Sequence, residues 1–348
     1  MQMMEIRVCS EKDYPQWEAY IRSHPRATPF HQIAWLNVVR NTYGHEPNYL
    51  IATEGGRVLG VLPLFSIARP GKGVILASGA FTSYDGVLGE NLDVEASLMD
   101  KAAELAMSGG ARWCEVKNTT WNVEWSLNWH VLSDYCTMIV PLDEERSSAW
   151  AKLNKSTRKN VRRSERDLIN VESGHQWLSE FYDLELLTMR RHGTPVHSKE
   201  FYSNILREFS DQATVFVAKR EEMGAIAAKL VLMFRDRMYS LAAASNSFCR
   251  ESKCSDFLSW QILKHASMKG FKSFDFGRSV WNSGTFEFKQ RMGAVAKPLY
   301  YSYVLGRGES VPLLPQRSIQ LKVASAVWRR FPLQVTALLG PKLIRYVP

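Results

Sequence analysis

The sequence predicts an α+β (mixed α/β) fold built twice, as two tandem domains, each a mostly antiparallel twisted sheet flanked by helices. Three observations carry that expectation. The chain has 348 residues, more than one core of ordinary size accommodates. Apolar runs with the two-residue period of strands alternate with runs of helical period along the whole length. The order of those runs also repeats, because each half reads strand, hairpin, strand, loop, helix, strand. Gly110-Ala-Arg-Trp-Cys-Glu-Val-Lys-Asn118 in the first half matches Gly270-Phe-Lys-Ser-Phe-Asp-Phe-Gly-Arg278 in the second, in pattern and in position.

In chain order, Asp13 to Ser23 reads as a helix with Trp17, Ala19, Tyr20 and Ile21 on or near its buried side, and Ile33 to Thr42 as a second. Tyr49 to Thr53 is a short strand, and Glu54-Gly-Gly-Arg57 turns it into Val58 to Phe65, with Pro63 marking an edge or a bulge. Val74 to Ser78 is a strand, Val94 to Met107 a helix ended by Gly109-Gly110, and Trp113 to Val116 the strand leaving it. In the second half a helix, Trp177 to Met189, precedes the strand Ala213 to Lys219. Ala225 to Phe234 pairs with Met238 to Ala244 around Arg235-Asp-Arg237. A loop containing Arg250 to Cys254 leads into the helix Asp256 to Lys269 and the strand Lys272 to Phe276.

Charge divides the chain further. The net charge is +9, yet Lys152 to Asp167 holds seven basic and two acidic residues, and Arg307 to Pro348 seven basic and one acidic. Basicity is therefore local to two segments. The domains are expected at 1–146 and 171–306, joined by a basic helical linker at 147–170 and followed by a basic amphipathic tail at 307–348. In the linker, Lys155, Arg158, Lys159, Arg162, Arg163 and Arg166 recur at three- and four-residue spacing on one helical face. That face reads either as a solvated surface or as a rail for phosphates. In the tail, Ile319, Val323, Val327 and Phe331 fall every four residues beside Trp328, Arg329 and Arg330. This stripe is expected to dock on the second domain, with contact to an anionic membrane as the other reading.

Other classes are excluded. Five cysteines at irregular spacings include no C-x-x-C pair, which predicts neither a zinc site nor a disulfide framework and fits a reducing compartment. The N-terminus has no signal-peptide pattern, and no stretch reaches the ~18 apolar residues that span a bilayer. A cytoplasmic place is expected, peripheral at the inner membrane if the tail binds there. No Gly-x-Ser-x-Gly elbow or H-E-x-x-H motif supports a serine hydrolase or a zinc enzyme, and no metal is expected.

The candidate active edge is Phe274 to Gly293. Phe274 and Phe276 alternate with Asp275 as in a strand, Gly277 is read as its end, and Arg278 to Ser283 as a polar loop. Gly284 then opens a short helix with Phe286 and Lys289 three apart on one face. A polar loop between a strand end and a helix start is where open sheets commonly hold ligands.

Four segments in this order resemble the FemAB family of acyl- and aminoacyltransferases, a branch of the GNAT superfamily. They are Thr28-Pro-Phe-His-Gln-Ile-Ala-Trp35, Gly60-Val-Leu-Pro-Leu64, Ser156-Thr-Arg-Lys-Asn-Val-Arg-Arg163, and Asp275-Phe-Gly-Arg-Ser279 followed by Phe288-Lys289. Arg191-His-Gly-Thr-Pro-Val-His-Ser-Lys-Glu-Phe201, Trp328-Arg-Arg-Phe-Pro332 and Leu339-Gly-Pro341 resemble the narrower branch associated with exosortase (PEP-CTERM) and exopolysaccharide loci. The resemblance spans nearly the whole chain and implies two GNAT-like folds. It also implies N-acyl or aminoacyl transfer to an amine of a cell-envelope, peptidoglycan or exopolysaccharide precursor, and the lack of a nucleophile elbow or zinc motif suits direct transfer without a covalent enzyme intermediate.

It places Phe288 and Lys289 beside the transferred group and the donor's phosphate. Asp275 either orients Arg278, accepts the amine's proton, or caps the loop. Arg190, Arg191 and His192 fall on the acceptor side by family analogy. Tyr239 and Ser245 are candidates to hydrogen-bond substrate, Tyr239 with core packing as its ordinary role, and Arg158, Lys159 and Arg162 to contact phosphates. No permanently bound cofactor is implied; the donor is aminoacyl-tRNA or acyl-CoA. The Gly-rich loop by which many GNAT enzymes hold the CoA pyrophosphate is replaced by Arg250-Glu-Ser-Lys-Cys-Ser255. Expected partners are a small-molecule or lipid-linked saccharide or peptide precursor, tRNA, and an anionic membrane. The rival reading is a non-catalytic module that binds a nucleotide-sugar, RNA or an anionic membrane surface.

Overall fold

A computed structural model describes residues 3–121, 129–142, 146–312 and 318–347. Positions 313–317 and 348 of the expected tail lie outside the described residues. The chain divides into two compact units, the first comprising Met1–Tyr135, Pro298–Pro312 and Tyr346–Pro348, the second Cys136–Lys297 and Leu313–Arg345.

In the first unit, β1 (Glu5–Val8) is followed by α1 (Tyr14–Ser23), α2 (Ile33–Tyr43), β2 (Glu46–Pro47), β3 (Leu50–Glu54) and β4 (Arg57–Leu62). Then come β5 (Leu64–Arg69), β6 (Gly73–Ser78), β7 (Leu88–Gly89), α3 (Leu92–Ser108) and β8 (Trp113–Asn118). Strands β1, β3, β4 and β7 form one antiparallel sheet; β8 lies parallel to β6, which continues antiparallel to β5 and β2. Val58 to Phe65, expected as one strand, is two. Pro63 has no N–H to give a ladder, so β4 and β5 separate there and join different sheets. Helix α3 begins where the Asn91 side chain accepts from the Val94 N–H, and it buries Val94, Leu98, Ala102 and Ala106 at helical spacing.

The chain enters the second unit within β9 (His130–Pro141) and leaves it within β15 (Val295–Leu305). Between them run α4 (Arg146–Lys152), α5 (Lys155–Arg166), β10 (Asn170–Ser173), α6 (Leu178–His192), α7 (Lys199–Phe209), β11 (Ala213–Arg220), β12 (Gly224–Phe234) and β13 (Arg237–Ser245). Next are α8 (Ser247–Ser252), α9 (Cys254–Met268), β14 (Ser273–Val280) and α10 (Gly284–Arg291); α11 (Ile319–Trp328) and α12 (Leu333–Ile344) follow β15. The strand order is β10-β11-β12-β13-β14-β9, antiparallel as far as β13 and parallel between β13 and β14.

Most of β12 is buried on both faces, so it is a continuous apolar run rather than an alternating one. Helix α9 is likewise buried nearly all round. It packs on the sheet with one side and receives α5 on the other, where Thr157, Val161 and Ser164 are buried. The basic segment expected as a linker thus falls inside the second unit, as two helices broken at Leu153 and Asn154. Its apolar face supplies part of this unit's core and its cations face solvent.

Three further expectations differ from the structure. Strand β14 does not stop at Gly277: that residue adopts φ +74° and the strand continues to Val280. Arg250 to Ser252 are helical rather than loop, and Lys253, at φ +62°, separates α8 from α9. Cys249 and Cys254 form a disulfide across that step, although the cysteine pattern predicted none.

The tail stripe is also corrected. Trp328, Thr336, Gly340 and Ile344 are the buried positions, and Gly340 lies so close to Val196 that a Cβ there would collide with it. Ile319 (77% exposed), Val323 (59%), Val327 and Phe331 point to solvent instead. Among the described residues, no helix is long and apolar enough to cross a membrane.

Candidate active site

The site in the second unit begins with a divergence of strands. β13 pairs with β14 only over Arg237–Tyr239 against Ser273–Asp275. Beyond that point Ser240, Ala243, Ala244 and Ser245 on one strand and Phe276 on the other line a cavity of about 270 Å³. The register between β12 and β13 slips there: Leu230 faces Ala242 and Val231 faces Ser240, which leaves Leu241 as the extra residue of a bulge. Bulges of this kind re-aim side chains next to functional sites. Alanines at 227, 228, 243 and 244 keep the walls thin, so the space stays open.

Two lysines open onto this cavity. Lys289 is carried by α10, whose first turn is capped by the Ser283 side chain. Its Nζ donates to the carbonyls of Gly277 (2.9 Å) and Arg278 (2.8 Å), so the continuation of β14 past Gly277 is what fixes the ammonium in place. Burial lowers its pKa from the usual 10.5 to about 8; the nearby Asp275 opposes that shift and Arg278 adds to it. Phe288 and Thr285 line the cavity beside it, whereas Phe286 packs against Trp281.

Lys229, the second lysine, was not singled out from sequence. It sits mid-strand in β12 and is only 5% exposed. Its Nζ donates to Ser259 Oγ (2.8 Å) and stands 4.6 Å from the centre of the Phe276 ring, with Phe274 and Phe288 within 6.0 Å. Burial, with the charge of Lys289, lowers its pKa to about 7, against the pull of Asp256. The signal in the sequence is a single cation inside an otherwise apolar strand, Ala225-Ile-Ala-Ala-Lys-Leu-Val-Leu-Met-Phe234. Two amines with lowered pKa facing one space can hold and exchange a proton near neutral pH.

The other candidates divide between this cavity and other surroundings. Ser245 and Phe288 line it. Asp275, 1% exposed, lies beneath it, where its Oδ1 accepts from Thr137 Oγ1 (2.6 Å) and the Gly277 N–H (2.7 Å). The bond from the Gly277 N–H is one that a carboxylate capping the loop makes. The Arg278 side chain is exposed and its carbonyl holds Lys289. Tyr239 is buried opposite Asp275 in the β13–β14 pairing, and its phenol pKa is raised by burial.

Arg190 and Arg191 line a second cavity, of about 460 Å³. His192 contributes its carbonyl to Ser325 and Arg329 of the tail, and its imidazole pKa is lowered by desolvation and by Arg191 and Arg329. Arg158, Lys159 and Arg162 lie on the outer face of α5 in a basic groove, with Arg162 over the Trp150 ring at 5.8 Å.

Residues 155–290 match the family model described as Acetyltransferase (GNAT) domain. Among solved structures, one titled FemX superposes with a TM-score of 0.70 at 16% identity, covering 87% of this chain and 98% of that one. The C-terminal domain of a putative lysylphosphatidylglycerol synthetase from Agrobacterium fabrum gives 0.57 at 15%, covering 85% and 92%. A tandem GNAT protein from the clavulanic acid biosynthesis pathway gives 0.54 at 11%, covering 86% and 98%. Identities this low establish a common fold. No curated protein matches the sequence.

Proposed function

Because residues 155–290 form a GNAT acyltransferase domain in a chain of two GNAT-like domains, we propose that the protein transfers an acyl or aminoacyl group to an amine of a cell-envelope or exopolysaccharide precursor. The observation that carries this reading is the one cavity onto which both Lys229 and Lys289 open. The acceptor nitrogen attacks the carbonyl carbon of the donor while the neutral amine of Lys229 takes the nitrogen's proton. The Lys289 ammonium faces the tetrahedral oxyanion. The carbon–oxygen or carbon–sulfur bond to the donor then breaks, and Lys289 returns a proton to the departing oxygen or sulfur. The products are an amide and a free alcohol or thiol, with no covalent enzyme intermediate.

The donor is an aminoacyl ester on tRNA or an acyl-CoA thioester. The outer face of α5 favours the former: Lys155, Arg158, Lys159 and Arg166 form no ion pair among the described residues and stand in a row a phosphate backbone can follow. The FemX-like fold and the sequence resemblance to exosortase-associated proteins support an envelope or exopolysaccharide acceptor. The fold shared with a lysylphosphatidylglycerol synthetase supports one borne on lipid. In this reading the protein works at the inner face of the membrane.

The test is to incubate the full chain with radiolabelled aminoacyl-tRNAs, or with acetyl-CoA, and glucosamine 1-phosphate as a probe acceptor. Amide formation that disappears in Lys289→Met supports the proposal. No transfer from any donor, together with retained binding of nucleotide-sugars, would make the protein a binding module instead.

A further inference from the structure

Exposed large apolar side chains are scattered singly along most of the chain, as at Val8, Leu168 and Met268. In the tail they gather. Helix α11 exposes Ile319, Val323 and Val327, and α12 exposes Leu338 (65%), Leu339 and Leu343. Isolated exposed apolar residues are ordinary, whereas a concentration of them marks a surface that meets something else.

The inner side of each helix is already occupied. On α11, Ser325 Oγ donates to the His192 carbonyl (3.3 Å) and Trp328 is buried, while Gly193 lies so close that a Cβ there would strike Ser325. At 3.6 residues per turn, Ile319, Val323, Val327 and Arg330 then fall on the side turned away from Ser325. On α12, Thr336, Gly340 and Ile344 are the buried positions and the helix packs on α6. Leu338 and Lys342, four apart, fall on its other side and are exposed. Each helix is thus pinned by one face and leaves an apolar face with cations unpartnered within its unit.

Charge decides what covers that face. From Ser318 to Val347 the sequence holds Lys322, Arg329, Arg330, Lys342 and Arg345 and no aspartate or glutamate. A second copy of this chain meeting the same face would set those cations against one another. An anionic bilayer satisfies both features, since apolar side chains enter the boundary of the acyl chains while cations meet the headgroups. The lysine and arginine stems lie along the apolar surface as their charged ends reach phosphate. With 10 and 12 residues, α11 and α12 are too short to span a bilayer, which takes about 20. They suit a place in the plane of the interface.

We propose that the outer faces of α11 and α12 form a docking surface for an anionic phospholipid bilayer. This surface goes beyond the transfer reading, and its test needs neither donor nor acceptor.

The experiment is sedimentation of the full chain with vesicles of phosphatidylglycerol and phosphatidylcholine in equal parts, and with vesicles of phosphatidylcholine alone. The wild type is expected to sediment with the first, less so as salt is added, and to stay in solution with the second. Ile319→Ser with Val323→Ser should bind the anionic vesicles about tenfold more weakly. Arg330→Gln and Lys342→Gln should each bind about fivefold more weakly, the effect of one cation near the headgroups. Met268→Ser, which removes an exposed apolar side chain outside the tail, should bind as the wild type does. Unchanged circular-dichroism spectra confirm that the variants fold.

The proposal is overturned if the wild type does not bind anionic vesicles, if it binds neutral ones equally, or if the tail variants bind no worse than Met268→Ser. Sedimentation velocity without vesicles covers the other occupant. A monomer is expected, and a dimer that Ile319→Ser with Val323→Ser dissolves would assign the face to a second copy and overturn the proposal.

Discussion

The two units bury lysines in opposite ways. In the first, Lys117 sits on β8, the strand that leaves the unit's long helix. It is 1% exposed, and its Nζ reaches the carbonyls of Gly79 and Thr82 at 3.4 Å. Nearby, desolvation raises the pKa of the buried Asp85, and the charge of Lys117 opposes that shift. Gly79, at φ +46°, leaves the Asp85 carboxyl a place that any Cβ would fill. In the second unit, Lys229 on β12 and Lys289 on α10, the helix after the corresponding strand β14, face one open cavity. Neither forms an ion pair among the described residues. A lysine held by carbonyls in a sealed interior is structural; a desolvated lysine beside empty space is available to a ligand. The scaffold occurs twice, and among the described residues the pair of lysines opening onto one cavity lies in the second unit.

That contrast is broken most directly by removing a reactive amine. Lys289→Met should lower transfer about 10³-fold or more, because an oxyanion donor and a proton source are lost together, while the fold is retained by circular dichroism. Lys229→Met should lower it about 10²-fold, the range of a single general base. The pH profile sharpens the assignment. A base with a pKa of about 7 is inactive while protonated, so rate rises through pH 7. An acid with a pKa of about 8 is inactive once deprotonated, so rate falls above pH 8. The wild type should be bell-shaped between those limits, and Lys229→Met should lose only the acidic limb.

Linkage gives the same residue a second signature. A lysine whose pKa is lower folded than unfolded binds fewer protons in the native state between pH 7 and the usual 10.5. Lys229 therefore adds to stability as pH rises through that window, and wild type should gain on Lys229→Met there in urea unfolding.

In the first unit the expected effect is on stability. Gly79→Ala would drive a Cβ into the Asp85 carboxyl at a left-handed φ, which should cost about 3 kcal/mol in urea unfolding. Smaller still, reducing Cys249–Cys254 opens a short loop and should cost about 2 kcal/mol by chain entropy. Replacing Ile319 and Val323 by serine should change stability by no more than about 0.5 kcal/mol, since neither is buried.

The duplication and most strands and helices were legible because each is written in local pattern; Phe288 and Lys289 were singled out by family resemblance, and the structure puts both at the cavity. What was not legible depends on neighbours distant in sequence. Lys229 gains its character from Phe276, Phe288 and Ser259, brought to it by the sheet and by α9 and α10. Gly277 looked like a strand end because a glycine often is one. Here it takes a left-handed turn within the strand, and its carbonyl and the next hold Lys289. The basic helix α5 looked like a linker because its charges dominate the composition, while Thr157 and Val161, which seat it on α9, are few.

The measurement that meets the central claim most directly needs no substrate. Lysine ε-methylene signals of ¹³C-labelled protein can be followed by NMR from pH 5 to 11, with Lys229→Met and Lys289→Met used to assign the two resonances. The account predicts one midpoint near 7 for Lys229 and one near 8 for Lys289. Both lysines titrating at the usual 10.5 would contradict it and remove the acid–base pair from the cavity.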